Sequence, residues 1–230
     1  MKVLLIGSGG REHALAQAIL RSDGLTSLAV APGNAGTQEH NVVLDVADNA
    51  AVVGYCASNQ IDLVVVGPEA PLVAGLADAL LDANISCFGP SKAAAQLEGS
   101  KSFTRSFAAS CGIPSPVSKT FTSSVEAIAW FDEQRFEVVV KADGLAAGKG
   151  VIIPENREET VQAITSMIDG RELGVSGSTI VLEERMTGEE LSLFGVSDGS
   201  TVLALATAQD HKRVGEGDTG PNTGGMGAFS

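Results

Sequence analysis

The sequence predicts an α/β protein: a parallel-sheet, Rossmann-like domain over residues 1–100, then a small α+β segment over 101–189 and the start of another over 190–230. Three observations predict it. Apolar runs alternate with helical stretches through the first hundred residues, those runs are continuous as in a sheet covered on both faces, and each ends in glycine or proline.

Taken in order, residues 3–6 form a strand, and 12–21 a helix with Ala14, Leu15, Ala18 and Ile19 on one face. Strands follow over 27–30 and 62–66, then a helix over 72–82 and a strand over 85–88. The loops 7–10, 31–36, 67–69 and 89–91 leave the carboxyl ends of these strands, where ligands of open α/β sheets bind, so all four are expected to ring one site. Two short helices occupy 92–111, and Gly112-Ile-Pro-Ser-Pro116 marks a boundary. Beyond it come strands over 117–121, 137–140, 151–153 and 179–183, with helices over 125–133 and 158–169. Strands over 191–196 and 202–206 flank a turn at Asp198-Gly199, and a polar, glycine-rich tail runs from 215 to 227.

Composition narrows the function classes. With 44% hydrophobic residues the chain can bury a real core, and no apolar run approaches a membrane span. The first strand enters Gly7-Ser-Gly-Gly10 too soon for a signal peptide, so the cytoplasm is the expected compartment. A formal charge of −13 opposes general nucleic-acid binding. Any anionic ligand must then be held locally: up to residue 90 the only basic side chains are Lys2, Arg11 and Arg21. Cys56, Cys87 and Cys111 lack C-x-x-C spacing and are expected to be small buried residues in a reducing environment. His13, His40 and His211 are too scattered to nominate a metal site.

The segment Lys141-Ala-Asp-Gly-Leu-Ala-Ala-Gly-Lys-Gly150 lies between two apolar runs and predicts a strand, a glycine loop and a second strand, with a lysine near either end. Gly144, Gly148 and Gly150 let backbone N–H groups approach an anion, and Lys141 and Lys149 add charge. It is not a P-loop. Only three residues separate Gly144 from Gly148, Gly150 stands where the magnesium-binding Ser or Thr belongs, and no helix follows. A tight hairpin turn with solvated lysines is the plain alternative.

Gly7-Ser-Gly-Gly-Arg-Glu-His13 carries the first two glycines of G-x-G-x-x-G, but Glu12 occupies the third position and no acidic residue ends the second strand. That speaks against a nicotinamide cofactor. A nest at a helix N-terminus can still take a simple phosphate, with Arg11 as partner. The alternative is an ordinary βα turn. The run 183–190, Glu-Glu-Arg-Met-Thr-Gly-Glu-Glu, could accept from ribose hydroxyls and present an adenine edge through the backbone of Arg185 and Met186, or be a solvated turn. Asp210-His-Lys-Arg213 followed by the 215–227 tail is either a linker or a ligand-contacting loop.

Together these segments resemble the phosphoribosylamine–glycine ligase family of the ATP-grasp superfamily. The resemblance rests on Gly7-Ser-Gly-Gly-Arg-Glu-His-Ala14, Ala31-Pro-Gly-Asn-Ala-Gly-Thr37, Val66-Gly-Pro-Glu-Ala-Pro-Leu72, Phe88-Gly-Pro-Ser91, the 141–150 loop, Leu182-Glu-Glu184 with Gly188-Glu-Glu190, and Asp210-His-Lys-Arg213 with Pro221-Asn-Thr-Gly-Gly-Met-Gly227, in order along the chain. It implies a pre-ATP-grasp N-terminal domain, an ATP-grasp lid and the start of a second ATP-grasp subdomain. It also implies a reaction in which ATP phosphorylates glycine and 5-phosphoribosylamine attacks the acyl phosphate, giving glycinamide ribonucleotide, ADP and phosphate in purine biosynthesis. No protein nucleophile is implied; Lys141 and Lys149 supply transition-state charge.

By the same resemblance, Lys101 and Lys141 contact the ATP phosphates, the loop carrying Gly144, Gly148, Lys149 and Gly150 closes over them, Glu183 and the Met186 backbone hold adenine, and Glu190 holds the ribose. Gly9, Gly10, Arg11, Asn34, Gly67, Pro68 and Glu69, with Asp210, Lys212, Asn222, Thr223 and Gly224, face phosphoribosylamine. Mg²⁺ or Mn²⁺ accompanies ATP, but its acidic and amide ligands are expected beyond Ser230, together with a further C-terminal domain. The chain is therefore expected to be a fragment, or a half that works with another chain. Two other readings stand beside this one: a different ATP-grasp carboxylate–amine ligase, and a non-catalytic nucleotide-binding module.

Overall fold

The computed structural model describes residues 1–145, 150–170, 178–217, 219–223 and 225–230. Two compact units divide at Ser115 and Pro116, inside the Gly112–Pro116 punctuation.

The first unit is built on a four-stranded sheet of order β2-β1-β3-β4, all parallel, from β1 (Lys2–Gly7), β2 (Ser27–Pro32), β3 (Leu63–Val66) and β4 (Ser86–Phe88). The central strand β1 explains the sheet. Leu4, Leu5 and Ile6 are wholly buried because both faces are covered. On one face, Val3 and Leu5 meet Ala16, Leu15 and Ile19 of α1 (Gly10–Leu20). On the other, Leu4, Ile6, Val64 and Val66 pack with Val52 and Cys56 of α2 (Asn49–Asn59), Leu72 of α3 (Glu69–Ala74) and Leu76 and Leu80 of α4 (Leu76–Asp82). Each fully buried aliphatic side chain contributes roughly 1.5–3 kcal/mol, so this two-sided burial dominates the unit. Two further helices, α5 (Lys92–Gly99) and α6 (Lys101–Ser110), complete it.

Two departures from the sequence expectation have plain causes. The helix expected over 72–82 is two helices, broken at Gly75, whose φ of +98° is left-handed and whose Cβ would sit 3.2 Å from the Lys92 stem. The helix α2 carries no polar stripe to announce it, being nearly all small and apolar. Its start is nonetheless marked by Asp48, whose carboxylate accepts from the Ala50 N–H at 2.8 Å and the Ala51 N–H at 3.2 Å. Cys56 is buried, as expected, but Cys87 is only half-buried and Cys111 is exposed because it caps the last turn of α6. The expectation of three buried cysteines fails there.

The second unit holds a four-stranded antiparallel sheet of order β5-β8-β6-β7, from β5 (Ser118–Phe121), β6 (Val138–Ala142), β7 (Val151–Ile152) and β8 (Ile180–Glu184). Helices α7 (Ser124–Asp132) and α8 (Arg157–Ile168) cover one face: Val140, Ala142, Ile180 and Leu182 pack there against Ala127, Ile164 and Met167. The 191–196 run pairs over a shorter and later stretch than expected, as β9 (Gly195–Ser197) against β10 (Val202–Ala204), while Ser192 bridges Ala208. The glycine-rich tail folds back on itself. It contributes β12 (Arg213–Gly215) against β13 (Thr219–Asn222), while β11 (Gln209–Asp210) pairs with β14 (Ala228–Phe229). No helix among the described residues is long and apolar enough to cross a membrane.

Asp48→Ala should destabilise the first unit by about 1 kcal/mol, the usual cost of an N-cap, read as a lower urea midpoint. Burial pushes the Cys56 and Cys87 thiols up to about 11. A chromogenic disulfide reagent at neutral pH should therefore titrate Cys111 rapidly in the native protein, and all three thiols only after denaturation.

Candidate functional site

In the first unit the strand order reverses between β1 and β3, the crevice at which open sheets bind ligands. The loops leaving β1, β2 and β3 are laced together there. The Gly33 N–H donates to the Gly7 carbonyl at 3.1 Å and the Gly67 N–H to the Ile6 carbonyl at 2.9 Å. The Asn34 amide donates through Nδ2 to the Ser8 and Gly9 carbonyls at 3.0 and 3.1 Å and accepts through Oδ1 from the Gly36 N–H at 2.8 Å. Asn34 thus serves as a brace between loops, its amide already occupied on both ends. At the fourth loop, Gly89 lies against Leu72 of α3, and the Lys92 N–H beyond it donates to Asp78 at 2.6 Å.

Glu12, which in the sequence only interrupts a glycine fingerprint, sits at the centre of this edge. Its side chain is almost wholly buried. Oε2 accepts from the Gly9 N–H at 2.7 Å, closing the N-terminus of α1, and Oε1 accepts from Arg11 Nε at 2.8 Å. A Glu three residues into a helix that begins at a glycine was the available signal, since that position reaches back to the N-cap amide. Burial acts to raise its carboxyl pKa, but the Arg11 hydrogen bond and charge and the Gly9 N–H outweigh it and hold the group below its ordinary value. Arg11 is otherwise exposed, and its Nη2 stands 4.0 Å from a Glu69 carboxylate oxygen. Gly9, Gly10, Arg11, Asn34, Gly67, Pro68 and Glu69 therefore do gather on one edge, with Pro68 as the N-cap of α3.

In the second unit the alternation of β6 and β8 decides the chemistry. Val140 and Leu182 point to the helices, so Lys141 and Glu183 point to the opposite face, diagonal to one another in the antiparallel register. Lys141 Nζ donates to Glu183 Oε2 at 2.5 Å, and Glu183 is 2% exposed. Gly144 adopts a left-handed φ of +89°, and the Gly150 carbonyl accepts from the Ala142 N–H at 2.7 Å, forming the base of the loop between β6 and β7. Gly148 and Lys149 lie outside the described residues, as does Gly224. The expectation for the Arg185 backbone needs correction: its N–H donates to the Glu137 carbonyl at 2.8 Å and is not open to a ligand. Met186 beside it is exposed.

Glu190 and Lys212 form an ion pair. Thr223 donates to the Lys212 carbonyl through both its N–H, at 2.7 Å, and its hydroxyl, at 2.8 Å, so the tail is a folded loop set on the Asp210–Lys212 segment and not a linker. Asn222 ends β13. Lys101 opens α6 in the first unit. Among the described residues no three His, Cys, Asp or Glu side chains stand together as a divalent-metal site.

A depressed folded-state pKa at Glu12 means the unfolded chain binds more protons as pH falls through the carboxylate range. The stability contributed by Glu12 is present above its unfolded pKa and lost as pH drops through the folded one. The urea midpoint of the first unit should fall more steeply on acidification in the wild type than in Glu12→Gln; equal slopes would contradict the linkage.

Comparison with known proteins gives this arrangement a family. The phosphoribosylglycinamide synthetase N domain matches residues 1–98 and the ATP-grasp (A) domain of the same synthetase matches residues 99–230. A phosphoribosylamine–glycine ligase from Agrobacterium fabrum is 56% identical over 100% of this chain, which covers 55% of that protein. Another from Vibrio cholerae is 51% identical over 100% of the chain, which covers 54% of it. The crystal structure of the Thermotoga maritima phosphoribosylamine–glycine ligase superposes with a TM-score of 0.82 at 32% identity, over 99% of this chain and 55% of that one. An N5-carboxyaminoimidazole ribonucleotide synthetase from Thermus thermophilus shares the fold, with a TM-score of 0.67 at 20% identity over 91% of this chain and 54% of that one. The chain spans about half the length of the curated relatives it matches. With the N domain and the ATP-grasp domain of one enzyme matched in succession along its whole length, the chain belongs to the phosphoribosylglycinamide synthetase family.

Proposed function

We propose that this chain forms the amine-binding part and the first ATP-binding part of a ligase that joins glycine to 5-phosphoribosylamine at the expense of ATP. The observation that carries the reading is the unbroken match to both domains of one synthetase. A glycine carboxylate oxygen attacks the γ-phosphorus of ATP, the bond to ADP breaks, and glycyl phosphate forms. The amine of phosphoribosylamine then attacks the acyl carbon. The carbon–oxygen bond to phosphate breaks, the nitrogen loses a proton, and glycinamide ribonucleotide is left.

The protein's part is placement and charge. Lys101, Lys141 and Lys149 meet the phosphate chain, and the loop with Gly144, Gly148 and Gly150 covers it. Lys141 is supported in this role by its bond to Glu183, which fixes the ammonium on the sheet face opposite the helices before ATP arrives. Glu183 and the Met186 backbone take adenine, and Glu190 the ribose. In the first unit Gly10, Arg11, Gly67, Pro68 and Glu69, braced by Asn34 and by the Gly9–Glu12 bond, take the phosphoribosyl group. Asp210, Lys212, Asn222, Thr223 and Gly224, all in the second unit, are read as contacts of phosphoribosylamine from the family resemblance. Mg²⁺ or Mn²⁺ bound with ATP would neutralise phosphate charge. Three free cysteines suit a reducing cytoplasm.

In the complete protein, phosphate release should require ATP, glycine and phosphoribosylamine together; release indifferent to glycine would overturn the assignment. Arg11→Ala should raise the KM for phosphoribosylamine roughly 10- to 100-fold, the worth of a charge-assisted hydrogen bond, with the KM for ATP little changed. Lys141→Ala should impair ATP use instead. Equal effects of both variants on both substrates would refute the division.

A further inference from the structure

Glu12 has no place in the reaction as described, yet it is the most constrained charged group of the first unit. Only 3% exposed, it occupies the gap between the ends of β1 and β3 so fully that no side chain fits beside it. A Cβ on Gly7 would lie 2.3 Å from Glu12 Cγ, and one on Gly67 would lie 2.0 Å from Oε1. Both loops are therefore shaped around this carboxylate. Of its two oxygens, one takes the Gly9 N–H and the other takes Arg11 Nε.

The second of those bonds has a consequence for recognition. An arginine side chain has much rotamer entropy to lose on being fixed, and Arg11, with its side chain 59% exposed, is little restrained by packing. Held through Nε, it directs its terminal nitrogens outward, where among the described residues the one further acidic neighbour is Glu69, 4.0 Å from Nη2. The Gly9 N–H is in turn withdrawn from anion binding and spent on holding the loop.

We propose that Glu12 is a positioning residue for the phosphoribosyl substrate, fixing the Arg11 guanidinium and the Gly7–Gly10 loop in the geometry that receives a phosphate monoester. The inference rests on the reading that the first unit binds phosphoribosylamine. Glutamine at this position has the same shape but only one acceptor oxygen, so its NH₂ would face either the Gly9 N–H or Arg11 Nε, donor against donor.

Ribose 5-phosphate, a stable compound with the same phosphoribosyl group, serves as probe in calorimetric titrations of the complete protein. Glu12→Gln should bind it at least tenfold more weakly than wild type, with an unhydrolysable ATP analogue bound as before. Arg11→Ala combined with Glu12→Gln should bind the probe no more weakly than Arg11→Ala alone, because the carboxylate acts through the arginine. Unchanged binding by Glu12→Gln, or a double variant that loses the sum of both effects, would overturn the proposal. Wild-type protein that ignores ribose 5-phosphate would instead sink the substrate reading, and this inference with it. Should Glu12→Gln fail to fold, the wild type alone decides. Its Arg11 Nε–H should give a slowly exchanging proton resonance at neutral pH before any ligand is added, and a rapidly exchanging one would refute the fixed guanidinium.

Discussion

One buried negative charge organises the ligand-facing edge of the first unit. A carboxylate placed where two parallel strands end must be met by donors, and the Gly9 N–H and Arg11 Nε are those donors. It must also be given room, which is why Gly7 and Gly67 carry no side chain. Helix start, loop path and arginine placement are thereby one arrangement. The sheet beneath supplies the rigidity: β1 lies between β2 and β3 with both faces buried, so the strand ends that frame the crevice have little freedom to drift.

The charge balance of the whole chain makes such local arrangement necessary. At −13 the protein repels phosphates at a distance. Attraction has to come from cations fixed at short range, and two cations of the candidate sites, Arg11 and Lys141, are each held by a carboxylate. A carboxylate beside a binding cation weakens its pull on an anion, but it also removes the entropy of ordering a long side chain when the ligand arrives. For a ligand with several negative oxygens, order gained in advance is worth having.

Much of the fold was legible. The apolar runs at 3–6 and 62–66 sit in the middle of a covered sheet, where continuous hydrophobicity is required, and the structure has β1 and β3 there. The apolar runs flanking 141–150 likewise foretold two strands, and β6 and β7 stand there. What escaped was what periodicity does not encode. The helix α2 is apolar and small on every side, so no stripe distinguishes it. Gly75 splits a helix that the apolar pattern runs straight through, and Cys111 is exposed by the end of a helix and not by its own chemistry. The candidate site was legible as loops and not as bonds. Asn34 was recognisable as a loop residue, but its role as a brace depends on Ser8 and Gly9, some 25 residues earlier in sequence. Glu12 was visible only as a missing glycine, because its value lies in contacts with residues of two other loops.

The Lys141–Glu183 pair bears on how the second unit avoids folding wrongly. Successive residues of a strand face opposite ways, so a slip of β6 by one position would carry Lys141 into the helix-covered layer with Ile164 and Met167 and turn Val140 outward. Apolar runs such as Val138-Val-Val140 are poor at resisting such slips, since one valine replaces another at little cost. A lysine at the end of the run makes the neighbouring registers expensive, and its partner on β8 rewards the right one. The same two charges proposed to meet a nucleotide thus proofread the alignment of the sheet on which they stand.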